Sequence, residues 1–234
     1  MRKYSLVLCP IATPATAAAV LLFVVLGNWQ LGRAAEKRVL DEEFSRAETA
    51  LALPPASIAV PRYQRVAASG SYDTNHQFLL DNMSESGSAG VHVLTPLLLS
   101  DGHAVLVDRG WVPFGATRDS LPDVGVGAAT RTVSGRLDEL PRPGIELAAP
   151  AGAGWPRLTS FPEMYELANQ LGRDLHPQLI LLDPREPDGF MRNWQVPGTT
   201  YVRHLGYAIQ WFAFAATAIA IWLALGLRRN GEAA

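Results

Sequence analysis

The sequence predicts a membrane protein in which two transmembrane helices flank a mainly antiparallel β extramembrane domain of the α+β class. Two observations carry this prediction: an uncharged apolar run near each end of the chain, and a central series of short runs rich in β-branched and aromatic residues. The composition agrees, because 48% of the 234 residues are hydrophobic and only 18% are charged. Soluble domains usually carry about 25% charged residues.

The first apolar run, Tyr4–Gly32, contains no charged residue. Its core, Leu6–Leu26, reaches the length of about 20 residues that a membrane-spanning helix needs. Pro10 and Pro14 should bend or loosen the first turns of this helix, because proline has no amide hydrogen to donate. The run is also longer than the roughly 7–15 apolar residues of a secretory signal, so we predict an uncleaved anchor.

The second apolar run, Leu205–Leu227, is uncharged and also long enough to span a bilayer. Two spans place both chain ends on the same side of the membrane. Basic residues flank the first run on both sides, so the positive-inside rule is nearly balanced, and the long loop should cross largely regardless of charge. We therefore predict a cytoplasmic tail at 1–3, a transmembrane helix at 4–31, a periplasmic β-rich domain at 32–203, a transmembrane helix at 204–227 and a cytoplasmic tail at 228–234.

The central region is predicted to begin as a helix and to continue as short strands. Good helix formers fill Arg33–Glu48, which should extend the first membrane helix into water until Pro54 and Pro55 end it. Five later runs are rich in β-branched and aromatic residues, with turn residues between them. These predicted strands are Tyr63–Tyr72, Gln77–Asp81, Val91–Leu99, Ala104–Val107 and Thr132–Leu137.

Turn and cap signals complete the domain. Asp101 and Gly102 between two apolar runs predict a hairpin. A capping box at Ser160–Glu163 and a C-terminal Gly172 predict one helix, which a buried strand at Gln178–Leu182 should follow. The predicted loops are 119–130 and 141–154.

Charge and motif content exclude several classes of protein. A net charge of −2 argues against a nucleic-acid-binding face. A single cysteine, Cys9, excludes an internal disulfide and a multi-cysteine zinc site. The nucleotide-binding, zinc-protease and hydrolase motifs are missing from the sequence. We interpret Asp81, His92 and Asp108 as solvated strand ends and turns, and we predict that the protein is not an enzyme.

Among the histidines, His204 lies where an ionisable side chain is costly, at the start of the second apolar run. Tyr207, Ala208 and Trp211 follow it on one helix face. Such a face offers an imidazole ligand, a small gap and aromatic walls, which suit a planar metal porphyrin. An ordinary aromatic belt at the membrane surface explains the same residues. Of the other histidines, His92 is expected in a core or edge position of a strand. His76, His103 and His176 are expected at the surface.

A second cluster of polar and aromatic residues ends the first apolar run. It consists of Asn28, Trp29 and Gln30, with Arg33 following. Arg33 and the Arg203 that precedes the second run could bind anionic groups of a ligand, such as propionates. They could equally contact lipid headgroups, and the sequence leaves both readings open.

Four stretches carry a resemblance to a known family. They are Leu26–Arg33, Tyr63–Asn82, Gly90–Pro113 and His204–Phe212. The most specific strings are R-G-W-V-P within the third stretch and H-L-x-Y-A-x-x-W-F in the fourth. In this order and spacing, the stretches resemble the Surfeit-locus-one family of cytochrome c oxidase assembly proteins over nearly the whole chain. Three positions depart from the family pattern. Met83 stands where the family often has arginine, and Asp108 and Val202 stand where it often has asparagine.

The resemblance implies a non-catalytic assembly factor for haem-copper cytochrome oxidase, in the inner membrane of a bacterium with its main domain in the periplasm. It implies transient binding of haem a at the membrane interface, with His204 as the ligand of the haem iron. The candidate binding residues are His204, Tyr207, Trp211, Trp29, Arg33 and Arg203.

The expected partners are oxidase subunit I, which would receive the haem, haem a synthase as a second candidate, and membrane lipids, but no nucleic acid. The alternative is a haem-free scaffold that stabilises oxidase subunits during assembly, with Arg109–Trp111 as a contact surface.

Overall fold

The computed structural model describes residues 4–6, 9–46, 49–85, 87–115, 120–141, 154–160 and 162–229. The chain divides into two units, one formed by Met1–Arg46 with Val196–Ala234, and one formed by Ala47–Gln195. The elements in chain order are β1 (Tyr4–Leu6), α1 (Ala12–Ser45), β2 (Leu51–Ala52), β3 (Arg65–Tyr72), β4 (Phe78–Glu85), β5 (Ser88–Leu99), β6 (Ala104–Pro113), β7 (Arg131–Asp138), β8 (Arg157–Thr159), α2 (Met164–Leu171), β9 (Leu179–Leu182), α3 (Tyr201–Gly226) and β10 (Leu227–Arg229).

Two long helices, α1 and α3, make up most of the first unit. Both are long and apolar enough to cross a membrane, which confirms the two predicted apolar helices at the ends of the chain. With 34 residues, α1 is about 51 Å long, more than the roughly 30 Å of a bilayer core. The excess is the predicted extension from Arg33, which continues without a break to Ser45.

The first helix begins later than the sequence suggested. Residues 4–6 do not continue α1 but form β1, which pairs antiparallel with β10, with Ser5 opposite Arg228. The helix begins at Ala12, because Pro10 lacks an amide hydrogen and disfavours helical geometry in the residue before it. Pro14 fits within the first turn, where amide hydrogens have no helical partner. At the other end, α3 begins three residues before the predicted His204.

The second unit is a mostly antiparallel β domain, as predicted. Among its described strands, β3, β7, β9, β6 and β5 pair in that order, and β5 pairs back with β3. This ring of pairings closes a small barrel, which has no exposed strand edges within the ring. Parallel pairing joins β9 to β6 within the ring. Outside the ring, the short strand β2 pairs in parallel with β3, and the short strand β8 pairs in parallel with β4.

Alternating residues from all five ring strands fill the barrel. Side chains that point to one face of a strand recur every second residue, so Val66 and Ala68 point inward from the same strand. The resulting core contains Val66, Ala68, Tyr72, Leu97, Val105, Val107, Val133, Leu137, Ile180 and Leu182. The barrel therefore provides a rigid frame for the second unit.

Most predicted elements of this domain are confirmed, but several boundaries differ. The strand β6 continues to Pro113, past the predicted end at Val107, and β4 continues to Glu85, past the predicted end at Asp81. The hairpin at Asp101–Gly102 joins β5 to β6, and Gly102 takes the positive φ of 89° that such a turn requires. The capping box lies three residues later than predicted, because Glu163 rather than Ser160 caps α2 and pairs with Glu166. Gly172 ends α2 in the left-handed conformation, as predicted.

The short strands β2 and β8 were not predicted, because runs of two or three residues carry no periodic signal. The predicted loop at 119–130 has no regular structure from residue 120 onward. Most of the predicted loop at 141–154 lies outside the described residues.

Candidate functional site

Small side chains bring α1 and α3 into close contact. Gly27 and Ala34 are the buried residues of α1, and Ala208 and Ala215 are those of α3. Any Cβ atom at Gly27 would lie 2.8 Å from the ring of Phe212, so this glycine is needed for the helices to approach. Small residues at a helix interface are typical of helix pairs in membranes, where they let the backbones come close.

The imidazole of His204 is hydrogen-bonded across the helix pair. Its Nδ1 lies 2.7 Å from the Oε1 of Gln30 on α1. An amide oxygen only accepts hydrogen bonds, so Nδ1 of His204 donates in this arrangement. In the neutral ring, Nε2 then keeps a free lone pair, which is the form of histidine that binds a metal. His204 itself is half-buried.

A second polar contact joins the other end of the helix pair. There, Nε1 of Trp222 donates to Oγ1 of Thr13 at 3.2 Å. The two polar contacts lie 17 residues apart on α1 and 18 apart on α3, which corresponds to about 26 Å along the helices. This distance is close to the roughly 30 Å thickness of a bilayer core. His204 and Gln30 thus lie at one edge of the apolar section.

The structure separates the predicted face of His204, Tyr207, Ala208 and Trp211. Ala208 is fully buried against the helix pair, so the predicted gap beside the histidine is closed. Trp211 stacks on Phe23 of α1 with ring centroids 5.8 Å apart and an angle of 26°. Ala208 follows His204 by four residues and Trp211 follows Ala208 by three, so both face α1, whereas Tyr207 stays 47% exposed.

The remaining predicted site residues lie outside the helix contact. Trp29 is 56% exposed, and Arg203 is exposed in the first turn of α3. Arg33 forms an ion pair with Glu36 one turn along α1, at 2.5 Å. Trp29, Arg33 and Arg203 are therefore on the outer surface of the pair, where a ligand or lipid can reach them.

Sequence reasoning did not single out the partner of His204. The structure reveals this partner, because half-buried and buried residues recur along α1 at alternating spacings of four and three, at positions 23, 27, 30, 34 and 37. The same spacing recurs on α3 at positions 204, 208, 211, 215, 218 and 222. A 4-3 spacing is typical of two helices that pack along a shared seam, so it pairs Gln30 with the histidine's face.

The polar groups of the β domain are more buried than the sequence suggested. The interpretation of Asp81 and Asp108 as solvated is wrong, because both are almost fully buried. Asp108 contacts Nδ1 of His92 at 2.8 Å and accepts the amide hydrogen of Gly110 at 2.9 Å. His176, predicted at the surface, is also buried, and its Nδ1 accepts from the amide of Gln178.

The segment Arg109–Trp111 is part of the interior and not the contact surface that the scaffold alternative requires. Arg109 is 2% exposed and donates to the carbonyls of Asp188 and Val124 at 2.7 and 2.8 Å. Burial, followed by the nearby charge of Arg131, lowers the pKa of Arg109 to about 10, so it remains charged at neutral pH. Trp111 is nearly buried as well.

His92 gives the β domain a pH-dependent contribution to stability. Burial of the ring by itself lowers its pKa, but the charge and hydrogen bond of Asp108 and the charge of Glu85 outweigh it, so the pKa of His92 is raised. Because its pKa is higher in the folded state than the unfolded-state value of about 6.5, His92 stabilises the fold at pH values below about 6.5. This contribution is lost as the pH rises through the pKa of the folded state.

We expect the melting temperature of the full chain in detergent to fall between about pH 6 and pH 8, in the range where histidine titrates. The variant His92→Gln should lose much of this slope, whereas His103→Gln, at an exposed site, should keep it. An unchanged slope in His92→Gln would show that other groups cause the pH dependence. Thermal unfolding followed by tryptophan fluorescence at several pH values measures both slopes.

Comparison with known proteins identifies relatives over most of the chain. The sequence profile described as the SURF1 family matches residues 17–216. A SURF1-like protein of Monosiga brevicollis is 29% identical over 223 residues, which cover 88% of this chain and 83% of that protein. A SURF1-like protein of Mycobacterium tuberculosis is 28% identical over 221 residues, covering 87% and 78%.

A more distant relative is the Surfeit locus protein 1-like of Arabidopsis thaliana, which is 25% identical over 176 residues, or 70% of this chain and 42% of that protein. The family match covers most of α1, the β barrel and the first part of α3, and it includes both Gln30 and His204. The chain belongs to the SURF1 family, a family of cytochrome oxidase assembly factors.

Proposed function

We propose that this protein binds haem a at one end of its helix pair and assists its insertion into subunit I of a haem-copper oxidase. The observation that carries the proposal is His204, a half-exposed imidazole at the edge of the apolar section, whose Nδ1 is hydrogen-bonded to Gln30 and whose Nε2 keeps its lone pair in the neutral ring. Histidine nitrogen is a common axial ligand of haem iron.

The surroundings of His204 fit a flat apolar ring on the outer surface of the helix pair. A ring between the helices would meet Ala208, which is fully buried, and the close contact of Gly27 with Phe212. Tyr207 and Trp29 instead expose apolar ring surface. A bound haem would supply the iron that accepts the Nε2 lone pair.

The cationic side chains near this end suit the acidic groups of a haem. Arg203 is exposed, and Arg33 has a carboxylate partner that a propionate would have to replace. Arginine binds carboxylates through paired hydrogen bonds, and the same chemistry serves lipid phosphates. Both arginines would therefore hold either a propionate or a headgroup at the membrane surface.

The membrane arrangement that suits this role has α1 and α3 crossing a bacterial inner membrane. Both chain ends would lie in the cytoplasm and the β barrel in the periplasm. Subunit I would receive the haem and haem a synthase would supply it. The protein would move a cofactor without changing it, which agrees with a non-enzymatic role.

The variant His204→Ala tests the proposal directly. We expect the wild-type full chain, purified in detergent from cells that make haem a, to show a haem absorption spectrum. In His204→Ala the haem absorbance per amount of protein should fall at least about ten-fold, since the iron ligand is removed. His103→Ala, which removes an exposed histidine of the β domain, is the matched control and should keep the spectrum.

Two outcomes would contradict haem binding through His204. One is a His204→Ala variant with the same haem content and spectrum as the wild type. The other is a wild-type protein that contains no haem and still co-purifies with subunit I, which would support the haem-free scaffold instead.

A further inference from the structure

The contact between Gln30 and His204 has a consequence for the iron ligand. We infer that Gln30 is a positioning residue: its amide oxygen fixes the tautomer and ring orientation of His204, and its neutrality keeps the bond from Nε2 to iron weak enough for the haem to be passed on. This inference rests on the proposed function. It assigns a role to a residue that touches the ligand only through another side chain.

The hydrogen-bonding atoms determine which ring nitrogen of His204 carries the proton. Nδ1 of His204 and Oε1 of Gln30 are 2.7 Å apart, a short and therefore well-formed contact. Because the amide oxygen cannot donate, the proton stays on Nδ1 of His204. In the neutral ring Nε2 then carries no hydrogen, so binding requires no change of tautomer.

Gln30 is held by a part of α1 that is packed closely against α3. Gln30 lies three residues after Gly27 and four before Ala34, the two buried residues of α1. The α1 backbone on both sides of Gln30 is therefore packed against α3. The residue that follows His204 by one turn, Ala208, is fully buried as well. These contacts leave the imidazole and the amide little freedom to separate.

The neutral charge of Gln30 affects how strongly Nε2 of His204 would bind iron. Histidines that bind metals usually donate their second ring hydrogen to a carboxylate, a carbonyl or water, and such partners raise the basicity of the ligand nitrogen. An anionic carboxylate raises it most, whereas the neutral amide of Gln30 raises it less. A weaker iron bond shortens the residence time of the haem, because affinity differences appear mainly in the dissociation rate. Release is what a carrier needs.

Two substitutions at Gln30 separate its roles, and one elsewhere controls for helix pairing. Gln30→Met removes the acceptor at similar size, and Gln30→Glu keeps an acceptor but adds a charge. Thr13→Val removes the other hydrogen bond between the helices, at the far end of the pair, without touching His204. The full chain in detergent is used throughout.

The first readout needs no haem. Nitrogen-15 spectra of the haem-free protein with labelled histidine report which ring nitrogen of His204 carries the proton, with His204→Ala identifying its signals. We expect one tautomer, protonated at Nδ1, in the wild type and in Thr13→Val. Gln30→Met should show a mixture of both tautomers. A wild-type signal from Nε2–H, or an unchanged spectrum in Gln30→Met, would overturn the inference.

The second readout is the affinity and midpoint potential of added haem. Loss of an outer partner of a metal-binding histidine typically weakens binding by about 10- to 100-fold, and we expect at least the lower figure for Gln30→Met. Gln30→Glu should bind haem more tightly than the wild type and lower its midpoint potential, while Thr13→Val should match the wild type. Equal affinities and potentials in all three variants would overturn the inference.

Failure of the inference differs from failure of the proposed function. If His204→Ala loses the haem while Gln30→Met keeps wild-type affinity and tautomer, then His204 is the ligand and Gln30 does not position it. If His204→Ala keeps the haem, the proposed function fails, and the tautomer spectrum still decides whether Gln30 holds the ring.

Discussion

Replacing Arg109 by methionine is expected to destabilise the β domain by about 3–5 kcal/mol, the size of effect seen when a buried charged network is broken. The guanidinium holds the carbonyls of Asp188, Val124 and Gly125 and the side chain of Gln77. Without it the buried carbonyl of Val124 loses this donor, and Oε1 of Gln77 keeps only its hydrogen bond from Thr95. A buried acceptor left without a partner costs about 1–3 kcal/mol.

The same side chain connects three parts of the domain. Its guanidinium lies 4.9 Å from the ring centre of Phe190 and 5.9 Å from that of Tyr72, so cation–π attraction adds to its hydrogen bonds. The carbonyls it holds belong to two segments without regular structure, around residues 124 and 188. Arg109 therefore ties these segments to the barrel.

Chemical unfolding of the full chain in detergent, followed by tryptophan fluorescence, measures the effect. Arg109→Lys should recover only part of the stability, because a lysine ammonium has three donors and cannot reproduce the planar fork. Arg185→Met changes an arginine that is 80% exposed and should leave the midpoint near the wild type. An Arg109→Met midpoint equal to that of Arg185→Met would show that the network contributes little.

The variant Gly135→Ala is expected to prevent normal closure of the barrel. A Cβ atom at this position of β7 would lie only 2.1 Å from the carbonyl oxygen of Leu181 in β9, and backbone cannot move aside as a flexible side chain can. Forcing extra atoms into a packed interior costs about 1–3 kcal/mol and occasionally more, and we expect the upper end here. The neighbouring side chain of Ile180 is also within 2.6 Å of the added atom.

A matched glycine in the same domain provides the control for Gly135→Ala. At Gly127 an added Cβ atom would meet only the end of the Arg131 side chain, at 3.2 Å, and that side chain can move. Gly127→Ala should therefore unfold at nearly the wild-type denaturant concentration, while Gly135→Ala unfolds at a lower one. Equal midpoints for the two variants would mean that the strands separate at little cost.

Local sequence patterns were sufficient to predict the elements of this fold. Apolar length predicted α1 and α3, and Asp101 with Gly102 predicted the hairpin between β5 and β6. These signals are local, because periodicity and turn chemistry depend on residues a few positions apart. The start of α1 was predicted less well, since an apolar composition does not distinguish a helix from the short strand at Tyr4–Leu6.

Closure of the barrel was beyond the reach of such patterns. The strand β9 pairs in parallel with β6 and antiparallel with β7, although 40 residues separate it from β7. Pairings of this kind depend on how distant segments meet, and a strand of four apolar residues looks the same in any position. The burial of Arg109 had the same cause, because its acceptors come from loops that carry no regular pattern.

By itself, the sequence determined the two apolar helices, the mainly antiparallel domain between them and the resemblance of His204 to a haem ligand. Only the tertiary structure decided that Gln30 meets His204 across 174 residues of chain, that Ala208 closes the expected gap and that Arg109 is interior. The physical reason is that composition and periodicity fix which face of an element is apolar. Which side chains then meet depends on the packing of elements that are far apart in the chain.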